Sequence, residues 1–256
     1  MANDNTGLLG KKIFFIHPSA FVQNNIMIEL IQQEYEVYAV RDEAKLQKLL
    51  QTYPDSIVFA SIDEVLPSDK WEAWIRSVME DEATKTVSIG ILSNTDNEGA
   101  RRFYLNTVKV NCGFTSVKMD KKRVTAVLAD LLKTAGAKGR RRHLRADTRG
   151  ETGITINVPH DGGFINGEIR DISVVGLSCV FDQDPGLEKN SFFPDIQIKL
   201  QSALLKTEGI VFGFRMDGSD KVYVFVFTPK TDPAVHVKIR SYIQKNLQSR
   251  MDAELK

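Results

Sequence analysis

At 256 residues the chain has room for two ordinary domains, each with its own core, and a content of 42% hydrophobic and 26% charged residues places it among soluble globular proteins. A formal net charge of +1 excludes a global attraction to polyanions, so any affinity for one has to be local. The two cysteines, Cys112 and Cys179, lie in different halves without metal-ligand neighbours; this excludes a disulfide framework and predicts buried free thiols in a reducing compartment.

The opening residues, Met1 to Gly7, are polar, and no run approaches the ~18 apolar residues of a membrane span, so a cytoplasmic protein with no membrane partner is expected. Lys12 to Ile16 is a short apolar run bounded by His17-Pro18, which suits a buried parallel strand. From Ala20 to Gln33 apolar residues return at helical spacing, and Tyr35 to Val40 reads as a strand. Asp42, with Lys45 three residues on, opens a helix through Leu50. Ser56 to Ile62 and Thr86 to Leu92 read as strands around a helix over Trp71 to Met79. Glu98 to Thr107 follows as a short helix, Gly113 to Val117 as a fifth strand and Lys121 to Ala135 as a long amphipathic helix.

Strands alternating with helices in this way imply an open parallel sheet covered on both faces. The order over residues 11–135 resembles the receiver domain of response regulators, a flavodoxin-like fold. A working receiver holds Mg²⁺ with an acidic pair after its first strand, carries a phosphoacceptor aspartate at the end of the third and a lysine after the fifth. Here the first place reads His17-Pro18, and Ala60 occupies the phosphoacceptor position, with Asp55 and Asp63 on either side of it. Ser93 and Lys118 stand near the switch hydroxyl and the lysine, but neither can chelate a metal. Without a carboxylate cluster no metal site and no in-line phosphotransfer is expected, which leaves a domain for binding a protein partner or itself. His17 is given no role.

Residues 136–150 form a linker. Ala135-Gly136 ends the helix, and five of the eight residues from Lys138 to Arg145 are basic. From 151 to 256 the apolar period falls from 3.6 to 2. Thr152 to Val158, Phe164 to Ile172, Gly176 to Phe181, Ile196 to Leu200, Leu204 to Phe214 and Val222 to Phe227 read as strands. Asp161-Gly162-Gly163, Asp184-Pro185-Gly186 and Asp217-Gly218-Ser219-Asp220 read as hairpin turns between them. Antiparallel strands with no intervening helix favour a small closed barrel, six-stranded here, and Val235 to Leu247 adds a helix that packs over the barrel mouth or on the other domain.

Two fragments stand out. Arg141 and Arg145 form an R-x-x-x-R pair with Arg140 just upstream, and Asp171-Ile172-Ser173-Val174-Val175-Gly176 follows at a strand end. An arginine fork can bind a phosphate or the O6 and N7 edge of guanine and stack on a purine; a carboxylate accepts from the guanine N1 and N2 edge; a hydroxyl donates to a phosphate. Gly176 permits a close backbone approach or a positive φ. In this order and separation, with β-rich sequence around them, the fragments resemble the PilZ domain, the bacterial receptor module for cyclic di-GMP.

That resemblance, over about residues 138–230, implies a six-stranded barrel whose arginine motif wraps cyclic di-GMP against the face carrying D-x-S-x-x-G. Carried onto this sequence, the ligand residues are Arg141, Arg145, Asp171, Ser173 and Gly176, with Arg140 as a second-rank contact; Arg142 and Arg170 have no matched position. It implies a non-enzymatic effector without catalytic residues, cofactor or metal. Ligand binding would order the arm and alter a protein–protein surface in the N-terminal domain or on the barrel face, serving motility or surface behaviour. The rival readings are a nucleic-acid-binding protein using the basic linker and barrel, with steep salt dependence, and a phosphorylated regulator, against which the missing acidic cluster speaks.

Overall fold

The structure, a computed structural model, describes residues 10–63 and 65–255, so the polar opening Met1 to Gly7 lies outside the described residues. The chain divides into two compact units: one runs to Arg142 and takes in the chain end from Met251, the other is His143–Arg250. The expected second domain of 151–256 therefore shifts at both ends. Its start moves forward because the end of the presumed linker is already paired in the barrel sheet.

In the first unit, β1 (Ile13–Ile16), β2 (Val37–Val40), β3 (Ile57–Ser61), β4 (Ser88–Ser93) and β5 (Phe114–Ser116) form a parallel sheet of order β2-β1-β3-β4-β5. This is the flavodoxin-like order expected. β1 reads as an unbroken apolar run because all four of its residues are buried between β2 and β3. Helix α1 (Met27–Gln32) is entered through a π-helical turn at Val22–Ile26. α2 (Glu43–Thr52) starts where the sequence marked it, the Asp42 carboxylate accepting from the Lys45 amide at 2.8 Å. α3 (Ser68–Glu80) begins a turn before Trp71, since apolar periodicity marks the buried face and is silent about a polar first turn. α4 (Glu98–Arg102) runs on as a π-helical turn to Val108, and α5 (Lys121–Thr134) is capped by Asp120. α1 and α5 touch one another and so share one face of the sheet; the right-handed crossover rule sends α2, α3 and α4 to the other.

In the second unit, β7 (Ile154–His160), β8 (Gly163–Ser173), β9 (Gly176–Phe181), β10 (Phe192–Leu200), β11 (Ala203–Asp217) and β12 (Asp220–Phe227) close into a ring, β8-β7-β10-β11-β12-β9, through antiparallel pairing of β9 with β8. A seventh short strand that the sequence reading missed, β6 (Ala146–Asp147), pairs with β8 at Ile172 and Asp171. Since β9 holds one edge of β8 there, β6 takes the other, beyond the point at Glu168 where β7 leaves off.

The hairpins follow turn chemistry. Asp161-Gly162 has positive φ at both residues, as a type I′ turn requires, and Gly218 takes φ +62 at the first place of the β11–β12 turn. A third hairpin, at Gln201-Ser202, carries no glycine; Gln201 itself adopts φ +57. Asp184-Pro185-Gly186 is not a hairpin turn: it lies in the connection from β9 to β10, strands that are not neighbours in the ring. The pair of turn residues there bends a loop, which sequence alone does not separate from a hairpin.

Alternation sends Ile154, Ile156 and Val158 of β7, and Leu177, Cys179 and Phe181 of β9, into one core. Val235, Ile239, Tyr242 and Ile243 of α6 (Pro233–Glu254) join it, so the helix packs on the barrel. It outruns the expected Val235 to Leu247 because its last turns are polar.

Candidate functional site

β6 fixes one side of the site. Ala146 is fully buried in the barrel core opposite Ile172, and Thr148 ties the segment down, its amide donating to the Arg170 carbonyl at 3.0 Å and its hydroxyl to that of Ile169. With Ala146 and Ile172 inward, alternation turns Asp147, Asp171 and the flanking Arg145 and Ser173 to the outer wall. The Arg145 side chain, 49% exposed, donates through Nη1 to Asp171 Oδ1 at 3.1 Å. The last arginine of the motif is thus anchored by a strand rather than carried on a loose arm.

The other Asp171 oxygen accepts from the hydroxyl of Ser178, its cross-strand partner on β9. Ser178 is buried and was missed from the sequence; the signal was available in the D-x-S-x-x-G hairpin, whose two-residue turn puts position 178 opposite 171. Ser173, also buried, donates to the Gly176 carbonyl at 3.1 Å and so closes that turn around Val174 and Val175. Its single proton is committed there. Gly176 keeps an ordinary φ; what it supplies is close approach, since a Cβ would lie 2.2 Å from the Phe225 carbonyl oxygen of β12. Arg145, Asp171, Ser173 and Gly176 are therefore gathered on one unit, whereas Arg140, Arg141 and Arg142 are exposed and belong to the end of the other.

Arg170 is the extra residue of a β-bulge: Ile169 pairs with Cys179 and Asp171 already with Ser178. Its Nη2 donates to Asp220 Oδ2 at 2.8 Å at the start of β12. Beyond Asp220 lies a cavity of about 450 Å³ lined by Val180, Phe181, Asp184, Met216, Lys221 and Tyr223, among others. At its rim the Tyr223 hydroxyl, the Gly186 amide and the Lys221 ammonium hold the Asp184 carboxyl down at about 2. Lys221 lies 4.3 Å from the centre of the Phe214 ring.

At the carboxyl end of the parallel sheet the side chains are turned on one another. His17 Nε2 meets Glu43 Oε1 at 2.7 Å, in a backbone with φ +49, and its ring packs edge-on to the buried Trp71. Glu43, the first residue of α2, is the carboxylate partner that the sequence could not name. Asp63 accepts from Ser93 Oγ at 2.8 Å and from the Asn94 amide, while Asp55 pairs with Lys11 at 2.7 Å. Ala60 is fully buried and Lys118 exposed. Among the described residues no group of three or more His, Cys, Asp or Glu is placed to hold a metal ion. Both cysteines are free and buried, and burial pushes the Cys112 thiol up to about 11 and that of Cys179 higher still. No helix among the described residues is long and apolar enough to cross a membrane.

No family model matches the chain, and no curated protein matches it. Solved structures do. YcgR in complex with c-di-GMP from Escherichia coli is 15% identical, with TM-score 0.39, over 46% of this chain and 50% of that one, so this chain spans about half the length of that protein. The PilZ domain of YcgR with c-di-GMP, also from Escherichia coli, is 14% identical, with TM-score 0.35, over 45% of this chain and 93% of that one. The Vibrio cholerae chemotaxis protein CheY4 is 14% identical, with TM-score 0.38, over 49% of this chain and 98% of that one.

Proposed function

We propose that this chain is a non-enzymatic cyclic di-GMP receptor of the PilZ type, its ligand held against the outer wall of β8 and β9 by Arg145, Asp171, Ser173 and Gly176, with Arg140 and Arg141 reaching it from the arm. The observation that carries this reading is the state of Asp171: Ser178 anchors one oxygen, and the other faces an arginine that solvent reaches. Magnitudes favour exchange. An exposed ion pair is worth about 0–1 kcal/mol, whereas hydrogen bonds to charged groups contribute roughly 1.5–3 kcal/mol each. A guanine that presents N1–H and N2–H to Asp171 therefore repays the broken pair and frees the Arg145 fork for an O6 and N7 edge or a phosphate. A phosphate close to Ser173 competes for its proton with the Gly176 carbonyl.

The backbone between α5 and β6 is irregular, and Arg140 and Arg141 lie on it. Ligand contacts from these arginines would order that run, and differential affinity for the ordered arm shifts the population towards it. The output is a changed protein–protein surface, of the kind that serves motility or surface behaviour. An exposed apolar row on the barrel suits a protein partner: Phe192, Ile210 and Val226 pair across β10, β11 and β12, with Phe212, 64% exposed, beside them.

Calorimetric titration of the full chain with cyclic di-GMP, beside cyclic di-AMP, GTP and a single-stranded oligonucleotide, tests the reading. Saturable binding of cyclic di-GMP alone is expected, abolished in Arg141→Ala and in Arg145→Ala while the thermal transition of ligand-free protein hardly moves. Unaltered affinity in both variants, or a preference for the oligonucleotide with steep salt dependence, overturns it.

A further inference from the structure

Cyclic di-GMP is two-fold symmetric and carries two guanines, yet the reading above assigns an acidic partner to only one of them. The outer wall holds a second acid–guanidinium pair. Asp171 is level with Ser178 on β9 and, through it, with Val224 on β12. Asp220 lies four residues from Val224 along β12, about 13 Å at the rise of a strand. Tyr223 and Phe225 point into the core, so alternation turns Asp220 to the same outer side as Ser178.

The bulge at Arg170 is what makes the second pair possible. Ile169 and Ile172 both face the core, and in regular alternation one of the two residues between them would face it too; the bulge lets Arg170 and Asp171 both lie on the outer side, where Arg170 reaches Asp220 at 2.8 Å. That pair is half open to solvent, with side-chain exposures of 29% and 44%. One bond through Nη2 leaves the rest of the Arg170 fork, and the second Asp220 oxygen, facing outward chemistry. Immediately beyond stands the cavity of about 450 Å³, with Val180 and Met216 as apolar walls and the Lys221 ammonium at its edge.

Resting on the cyclic di-GMP reading, we infer that Arg170 and Asp220 form a second guanine subsite. Asp220 accepts from N1–H and N2–H, Arg170 donates to O6 and N7, and the base lies along Val180 towards the cavity. Arg145 with Asp171 and Arg170 with Asp220 then read the two halves of one symmetric ligand. The bulge is the device that sets the second pair beside the first.

The test uses full-length protein and two probes, cyclic di-GMP and the mixed cyclic GMP–AMP, which can fill the first subsite with its guanine and offers only adenine to the second. Wild type should prefer cyclic di-GMP by about tenfold or more, the discrimination a bidentate contact gives. Asp220→Asn and Arg170→Lys should bring that ratio close to one and weaken cyclic di-GMP several-fold, with unchanged thermal midpoints for ligand-free protein. A merely structural role would lower both affinities together and leave the ratio intact, and that result overturns the inference. So does an unchanged ratio at unchanged affinity. If wild type binds neither probe, the receptor reading itself fails; if it binds and Arg145→Ala abolishes binding while the ratio survives in both new variants, only the second subsite fails.

Discussion

The sheet end of the first unit and the outer wall of the barrel each gather acids, bases and hydroxyls at strand ends, but they use them in opposite ways. At the sheet end the side chains bond to one another: His17, 7% exposed at its side chain, is held by Glu43, and Asp63, itself exposed, accepts from the buried Ser93 hydroxyl and the Asn94 amide. On the wall, Arg145 and Arg170 rest on single carboxylate bonds within reach of water. Opening a buried polar pair leaves groups unsatisfied at about 1–3 kcal/mol each, whereas opening an exposed pair costs about 0–1 kcal/mol. By that difference the pairs on the wall are the ones that open at the smaller cost, as the proposed function requires.

The largest effect that sharpens this contrast is at Asp63. Asp63→Ala removes an acceptor from the buried Ser93 hydroxyl, which keeps Thr95 as a partner, and from the exposed Asn94 amide, so it should destabilise the first unit by about 1–2 kcal/mol in denaturant unfolding. Cyclic di-GMP affinity should stay within twofold, and acetyl phosphate should label neither wild type nor variant. A tenfold loss of affinity, or labelling of wild type that the substitution removes, would break the separation of the two regions.

Next in size is Ser178→Ala. It keeps the fold of β9 but frees Asp171 Oδ2 from its cross-strand donor, so the carboxylate loses its fixed orientation. Cyclic di-GMP should bind about threefold to tenfold more weakly, since ordering a side chain that is no longer held in place costs about 0.5–1.5 kcal/mol on binding. Equal affinity in wild type and variant would mean that Ser178 does not position the acid.

Much of this architecture was legible in the sequence because periodicity reports burial. β1 and β3 read as unbroken apolar runs since both their faces are covered, and Ile154, Ile156 and Val158 alternate because only one face is. β6 was not legible: two residues give no period, and only the register with β8 reveals that Ala146 is a core residue. Arg145 and Asp171 stood out through their spacing, and Ser178 could be counted back across the two-residue hairpin turn, but Arg170 and Glu43 depend on a bulge and on the helix that follows a neighbouring strand. These are relations between segments, and no local pattern encodes them. The same holds for Asp184-Pro185-Gly186, whose turn chemistry is plain while the strands it joins are not neighbours.

The smallest effect lies at the rim of the cavity and tests how far an exposed cluster on the barrel can still perturb its members. Asp184 is held at about 2, first by the Tyr223 hydroxyl, then by the Gly186 amide and Lys221. A carboxyl whose folded value lies below the unfolded ~3.9 stabilises the fold fully above the unfolded value, and that contribution is lost as the pH falls through the folded one. The sensitive window is therefore about pH 4 to 2, with stability falling towards acid. Tyr223→Phe removes the first cause, so the Asp184 carboxyl should titrate closer to its ordinary range and the window should narrow from its lower end. Carboxyl-resolved NMR titration of the two proteins measures this directly. An ordinary Asp184 titration in wild type would show that solvent, rather than the Tyr223 hydroxyl, governs this carboxylate, as it governs the exposed pairs on the wall.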